Sequence, residues 1–231
     1  MTKRIAMWSG PRNLSTALMY SFAARGDARV VDEPFYAAYL AETGADHPMR
    51  EQVLSSQPTD VGAVIKTLVS PVLEPVYYQK HMTHHMLEYW PLDWMSEVQN
   101  VFLIRHPARV VASYKRKREA PTLDDLGFVQ QARLAARVDD PIIVDAADIR
   151  ADPARMLQRL CAALGIPWTE NMLHWPAGGH TADGVWAAHW YGAIHRSTGF
   201  DGPEGPLPEV NDPLVDAGLP HYEALAALRL T

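Results

Sequence analysis

Residues 9–16, SGPRNLST, bring a glycine, a proline, an arginine and two kinds of hydroxyl together between an apolar run and a helical pattern. A loop of that kind between a strand and a helix aims backbone N–H groups and the positive end of the helix dipole at one point. An anion of phosphate size fits there, and the Arg12 guanidinium can clamp two of its oxygens at once. Gly10, Pro11, Asn13, Leu14, Ser15 and Thr16 are the candidate partners of Arg12. The nucleoside-triphosphatase pattern GxxxxGK[ST] is absent, because no lysine precedes the hydroxyls. The competing structural reading leaves Arg12 solvated and uses Asn13 or Ser15 only as a helix cap.

A second group lies in VFLIRHPARVVASY, residues 101–114. Arg105 falls at the carboxyl end of a buried strand, where open α/β sheets bind their ligands. Ser113 follows eight residues later, inside the helix that Pro107 starts, and Arg109 shares its face. An arginine at a strand tip and a hydroxyl on the adjacent helix can grip one phosphate. Alternatively, Arg105 pairs with a carboxylate and Ser113 bonds back to a helix carbonyl. Two such units after two strands suit a ligand with two separated phosphates.

The elements that must position these groups alternate between short apolar runs and helical patterns, the signature of βαβ units. Strands are expected at 4–8, 28–32, 75–81, 100–105 and 141–145, with a turn at 9–13. Helices are expected at 14–24, in pieces over 35–56, at 60–69, from Pro107, and at 124–138 and 153–164. Gly26 and Gly165 read as helix ends. A helix at 183–195 and irregular chain from 197 to 213 complete a tail, 167–231, that reads as a lid on the acceptor side. The fold class is thus α/β, a central mostly parallel sheet flanked by helices, in one domain spanning 1–231.

Composition agrees with this class. The 231 residues are 48% hydrophobic and 21% charged, which excludes a disordered chain. One cysteine, Cys161, excludes an intrachain disulfide framework and fits a reducing, cytoplasmic setting. No run of 18 apolar residues is present, and the start MTKRIAMWSGPR lacks a signal-peptide pattern. The net charge of −6 argues against broad nucleic-acid binding. Through Arg118 there are 14 basic against 11 acidic residues, and beyond it 7 against 16. The run KRKR at 115–118 reads either as a solvated helix end or as part of a local anion site.

These motifs resemble those of the P-loop-type sulfotransferases, which use 3′-phosphoadenylyl sulfate (PAPS). In that family a strand–loop–helix written PKSGTT holds the 5′-phosphosulfate. PRNLST at 11–16 is similar, with Arg12 for lysine and Leu14 for glycine. An Arg-x-Pro motif with a serine eight residues after the arginine holds the 3′-phosphate, and Arg105, Pro107 and Ser113 match it. The resemblance covers residues 4–34 and 75–115 and implies a P-loop nucleoside triphosphate hydrolase-like fold. Leu14 cannot take a positive φ as freely as glycine, so the loop is expected to close with a different backbone shape.

Further roles follow from the resemblance. Arg12 would neutralise the leaving phosphate, and Glu33, after the second strand, looks like the base of several bacterial members. Capping of the next helix or pairing with Arg12 or Arg105 is the alternative for Glu33. The second contender for the base is YYQKHMTHHM, where Lys80 matches the lysine of a KTH segment but Met82 stands in place of its histidine. His81, His84 or His85 would then substitute. Without an HExxH pattern or companion cysteines, no metal is expected. Arg196-Ser197-Thr198-Gly199 resembles the loop that closes over the 3′-phosphate. Tryptophans 168, 175, 186 and 190 would line an acceptor or adenine pocket or belong to the core, and Cys161 reads as packing.

The function implied is sulfuryl transfer from PAPS, as co-substrate, to a hydroxyl of a small-molecule acceptor. No nucleic acid and no membrane is expected as partner, and homodimerisation is left open. The rival readings are a P-loop small-molecule kinase and a non-catalytic relative that binds a nucleotide or phosphometabolite.

Overall fold

The computed structural model describes residues 2–116 and 120–231. Lys117 and Arg118 of the basic run at 115–118 lie outside the described residues. Five strands, β1 (Lys3–Ser9), β2 (Ala28–Asp32), β3 (Val76–Met82), β4 (Gln99–Ile104) and β5 (Ile142–Asp145), form one sheet in the order β2-β3-β1-β4-β5. Every pairing is parallel. Each strand expected from the sequence is present within one or two residues.

Parallel strands covered on both faces need apolar side chains on both, and IAMW, VFLI and IIV supply them. Odd-numbered residues of the first strand, Ile5 and Met7, join Val101, Leu103 and Val144. That face packs on the helices Ser15–Ala23 and Pro153–Leu164 through Leu18, Phe22, Leu157 and Leu160. Ala6, Trp8, Phe102, Ile104 and Ile143 turn the other way, toward Phe35, Trp94, Leu134 and Leu225. Pleat alone therefore sorts the two cores.

Helix ends follow local chemistry. Asp152 accepts from the Arg155 N–H at 3.1 Å, Pro153 starts the helix, and Gly165 ends it at φ 64°. Cys161 is buried on this helix's apolar side, as its setting suggested. The helix expected over 124–138 is split at Gly127, φ 72°, into Leu123–Leu126 and Phe128–Ala135.

The tail departs from expectation. In place of a helix over 183–195 there is a four-residue helix, Ala187–Trp190, and a 3₁₀ turn, Ile194–Arg196. Glycines at 184 and 192 bracket that short helix, and glycine is a poor helix former. Nor does the last segment cover the site. The helix Pro213–Ala226 packs beside β4 and β5, where Tyr222 Oη donates to Asp145 Oδ2 at 2.8 Å. Beyond it, Leu230 N donates to the Ile143 carbonyl. Only the part of the tail from Trp190 to Asp201 reaches the cavity described below.

β1 sits between β3 and β4. The crossover leaving β1 runs to β2 on one side, and that leaving β4 runs to β5 on the other. This reversal opens a crevice at the carboxyl ends of β1 and β4, the place where such sheets bind ligands. Gly10, just before the loop that lines it, abuts the backbone of Leu126: a Cβ there would stand 2.4 Å from the Leu126 carbonyl oxygen. Gly10→Ala is expected to destabilise the fold by about 1–3 kcal/mol, as overpacking does. Thermal unfolding followed by circular dichroism checks this, and an unchanged midpoint contradicts it.

Candidate functional site

A cavity of about 470 Å³ opens at that crevice, within the range of small-ligand sites. Arg12, Asn13, Leu14, Ser15 and Thr16 enter it after β1, Glu33 after β2, and Lys80 and Met82 from the end of β3. Arg105 follows β4, Ser113 comes from the next helix, and Arg150 lies beyond β5. Tail residues Arg196, Ser197 and Gly199 line it as well, together with Trp190 and Tyr191.

The first loop keeps a left-handed turn without glycine. Arg12 has φ 62° and Leu14 φ 75°. The expectation that leucine would force a different backbone shape is therefore corrected. Leu14 adopts the glycine-favoured region, at a cost of order 1 kcal/mol or more, and packs its side chain against the core. It caps the helix Ser15–Ala23 without a side-chain bond. Asn13 Nδ2 donates to the Leu103 carbonyl at 3.2 Å, tying the loop to β4.

The two arginine units meet directly. Arg12 Nε donates to Ser113 Oγ at 3.0 Å, and Arg105 Nη1 donates to the Arg12 carbonyl at 2.6 Å. Burial, and then the positive charges of Arg105 and Arg116, hold the Arg12 pKa below its ordinary value. A partly buried guanidinium with cationic neighbours is stabilised by any anion it receives. Arg105 also pairs with a carboxylate, Glu204 of the tail.

Glu33 meets neither Arg12 nor Arg105 in an ion pair; its partner is Lys80, at 2.5 Å. Lys80 Nζ also donates to Asp32 Oδ1 and to Tyr191 Oη, both at 2.8 Å, so its three N–H groups are taken. Tyr191 Oη in turn donates to Asp32 Oδ2 at 2.8 Å. Burial, with Asp32 adding to it, raises the Glu33 pKa against the opposing effect of Lys80. For Lys80 burial acts downward, but Asp32 and Glu33 together outweigh it and raise the pKa. Two carboxylates sharing one buried ammonium leave Glu33 as the group with raised proton affinity. Its backbone, at φ 41°, is itself left-handed.

His81 is not in the cavity. One residue beyond Lys80, it points to the opposite face of β3, where it stacks on Trp8 at 4.4 Å. Its Nε2 lies 3.2 Å from Gln79 Oε1, and burial followed by the Lys80 charge pushes its pKa down to about 3. His84 and His85 do line the cavity. His85 stacks on Tyr36 at 4.5 Å, and burial, then His84 and His47, hold its pKa well below the ordinary value. Among the described residues no three His, Cys, Asp or Glu side chains are placed to share a metal ion.

Two loop residues named from sequence fall outside the cavity wall. Gly10 abuts Leu126, as above, and Thr198 gives its carbonyl to Trp175 N. Ser197 Oγ accepts from Trp175 Nε1 at 3.1 Å. Trp175 belongs to the core, Trp168 packs against it and Trp186 is buried, so only Trp190 of the four tryptophans lines the cavity. Sequence reasoning missed Asp32, Tyr191, Arg150 and Glu204. A carboxylate pair at 32–33 was visible as DE at a strand end; the other three have no local motif.

The chain is thus an α/β fold with cations gathered at the switch point of a parallel sheet. A sulfotransferase-domain family model matches residues 3–229, and the chain belongs to that family. Two curated relatives from Arabidopsis thaliana, branched-chain-amino-acid aminotransferase-like proteins 2 and 1, are 37% and 38% identical over 229 residues. These alignments take in 96% of this chain but only 41% of each relative, so the chain spans about two fifths of their length. The sulfotransferase domain of the Synechococcus PCC 7002 olefin synthase superposes with TM-score 0.59 at 16% identity, covering 98% of this chain and 96% of that one. The sulfotransferase domain from the curacin biosynthetic pathway gives 0.58 at 15%, covering 98% and 97%. At those identities the likeness shows the fold. No described helix is long and apolar enough to cross a membrane.

The buried histidines make stability depend on pH. Folded, His81 and His85 stay neutral, while in the unfolded chain each takes up a proton near its ordinary value of 6.5. Below that pH the unfolded state binds more protons, so these residues cost stability as pH falls. His85→Phe is expected to flatten the decline between pH 7 and 5 by up to ~1.4 kcal/mol per pH unit. Denaturant titrations at each pH measure it; parallel curves for the two proteins contradict it.

Proposed function

We propose that the chain transfers a sulfuryl group from PAPS to a hydroxyl of a small-molecule acceptor. The observation that carries this reading is the meeting of Arg12, Arg105 and Glu33 in one cavity at the ends of β1, β4 and β2. The arginines suit the two ends of a bisphosphorylated donor, and the carboxylate supplies a base for an acceptor hydroxyl. Family membership and the sulfotransferase-type fold support the class of reaction.

In the reaction, the acceptor oxygen forms a bond to sulfur while the bond from sulfur to the phosphate oxygen breaks. Its electron pair stays on the departing 3′,5′-bisphosphate, and the acceptor proton passes to Glu33. Arg12 and the first N–H groups of the helix Ser15–Ala23 stabilise the charge that grows on the leaving phosphate. Lys80 works through Glu33: with all its N–H groups committed, it fixes the carboxylate's position. His84 and His85, the latter stacked on Tyr36, line the cavity and would face the acceptor. That full commitment of Lys80 also favours a second reading, a relative that binds the donor without turnover. Detectable product with any acceptor excludes it.

Adenosine 3′,5′-bisphosphate is expected to raise the thermal midpoint, because a ligand that binds only the folded state stabilises it. Arg105→Ala should abolish the shift; no shift in the parent protein at millimolar ligand contradicts the donor assignment. Glu33→Gln should lower kcat by about 10²–10⁴-fold with bisphosphate binding retained. In the parent protein, kcat/KM should fall on acidification through a midpoint above 4.5, because protonation of Glu33 removes the base. A limb at or below that value, or turnover in Glu33→Gln, assigns the base elsewhere.

A further inference from the structure

The tail places a carboxylate among arginines that the first two motifs do not account for. Glu204 has a side chain only 3% exposed, although it sits in an irregular stretch whose neighbours Gly202, Pro203, Gly205 and Pro206 are exposed. Its Oε1 accepts from Arg105 Nη2 and faces Arg150 Nη1 at 3.5 Å, and its Oε2 lies 2.8 Å from Arg109 Nε. The same arginines hold the adjoining backbone: Arg150 Nε donates to the Gly202 carbonyl at 2.9 Å, and Arg109 Nη2 to the Gly205 carbonyl. Three guanidinium groups from two segments, the junction after β4 and the helix after β5, thus converge on one carboxylate.

The charges do not balance. A single carboxylate neutralises one of three cations, and Arg12, hydrogen-bonded to Ser113 and in contact with Arg105 through its own carbonyl, adds a fourth nearby. A phosphate dianion brings twice the charge and a third oxygen, and arginine forks match its geometry. Arg105 and Arg150 both line the cavity, whereas Glu204, which pairs with both, does not. The strap that carries Glu204 has a glycine on each side, two and one residues away, and makes no strand or helix of its own. Such a segment can swing without breaking the fold.

We infer that Arg105, Arg109 and Arg150 form a three-arginine phosphate cradle, and that Glu204 is its internal occupant, displaced when the ligand's phosphate enters. With the donor reading above, on which this assignment of the ligand rests, the phosphate is the 3′-phosphate of the nucleotide. Arg109 and Arg150 are then binding residues, and Glu204 sets how much of the donor's affinity is spent on opening the cradle.

Calorimetric binding of adenosine 3′,5′-bisphosphate and of adenosine 5′-monophosphate to the whole chain tests this. Glu204→Gln is expected to bind the bisphosphate at least about fivefold more tightly, a typical coupling between two competing states. Its affinity for the monophosphate, which lacks the 3′ group, should not change. Arg150→Ala should weaken the bisphosphate about tenfold and leave the monophosphate unaltered. Bisphosphate binding that is unchanged or weaker in Glu204→Gln overturns the inference, provided the unliganded thermal midpoint shows the variant folded; Glu204→Ala repeats the test where it does not. Tighter binding in Arg150→Ala makes that arginine an anchor of the strap alone and overturns its assignment as a ligand. Inorganic phosphate separates this inference from the donor reading. If no protein binds the bisphosphate yet phosphate stabilises Glu204→Gln more than the parent, the donor reading fails and the cradle stands; if neither probe gains, the cradle falls.

Discussion

Like charge converging on one end of a parallel sheet is the constraint that the surrounding structure answers. Arg12, Arg105 and Arg150 line one cavity, and Arg109 reaches the same carboxylate from the helix Pro107–Lys115. Each has been given an oxygen to hold: Ser113 for Arg12, the Arg12 carbonyl for Arg105, the Gly202 carbonyl for Arg150 and the Gly205 carbonyl for Arg109. Carbonyl and hydroxyl dipoles screen the cations from one another without cancelling their charge. The crevice at the strand ends and the N-terminus of the helix Ser15–Ala23 add further positive potential at the same place. Burial, and after it the charges of Arg105 and Arg116, depress the Arg12 pKa.

The acidic half of the cavity is built by a different device, the pleat of β3. Successive side chains of a strand point to opposite faces, so Lys80 and His81 cannot serve the same site. Lys80 faces the cavity and draws Asp32 and Glu33 onto one ammonium, with Tyr191 from the tail closing the set. His81 goes to the core, paired in register with Trp8 and stacked on it. Burying a lysine with two carboxylates is tolerable because every proton of the ammonium finds an acceptor. The raised proton affinity then falls on Glu33, the member that borders the cavity.

Legibility followed the range of the interactions. β1, β4 and β5 were readable as apolar runs, and the helix Pro153–Leu164 from its Asp-Pro start and glycine end. The arginine of each loop was readable because a strand–turn–helix junction is a local pattern. His81 was misplaced because a cluster of histidines in sequence says nothing of which face each takes; counting the alternation from Lys80 would have removed it. Glu204 and Tyr191 were hidden for a stronger reason. They meet their partners from irregular chain, Glu204 99 residues from Arg105 and Tyr191 159 from Asp32, and nothing periodic constrains such a segment. The tail helix expected over 183–195 shrank to four residues because Gly184 and Gly192 bracket it.

Strain is distributed in the same way as charge. Of the five non-glycine residues with positive φ among those described, Arg12, Leu14 and Glu33 lie on the cavity wall. Left-handed backbone at ordinary residues persists only where the surroundings over-determine it. For Arg12 the restraint is the bond from Arg105 to its carbonyl, and for Glu33 it is the bond from its own N–H to the Lys80 carbonyl at 2.9 Å. Leu14 is held by apolar packing on the core. A glycine there would take the same backbone shape more cheaply but would leave that contact empty and remove a side chain from the cavity wall. The substitution of leucine at this point therefore changes what the cavity admits more than it changes the loop that presents the helix N-terminus.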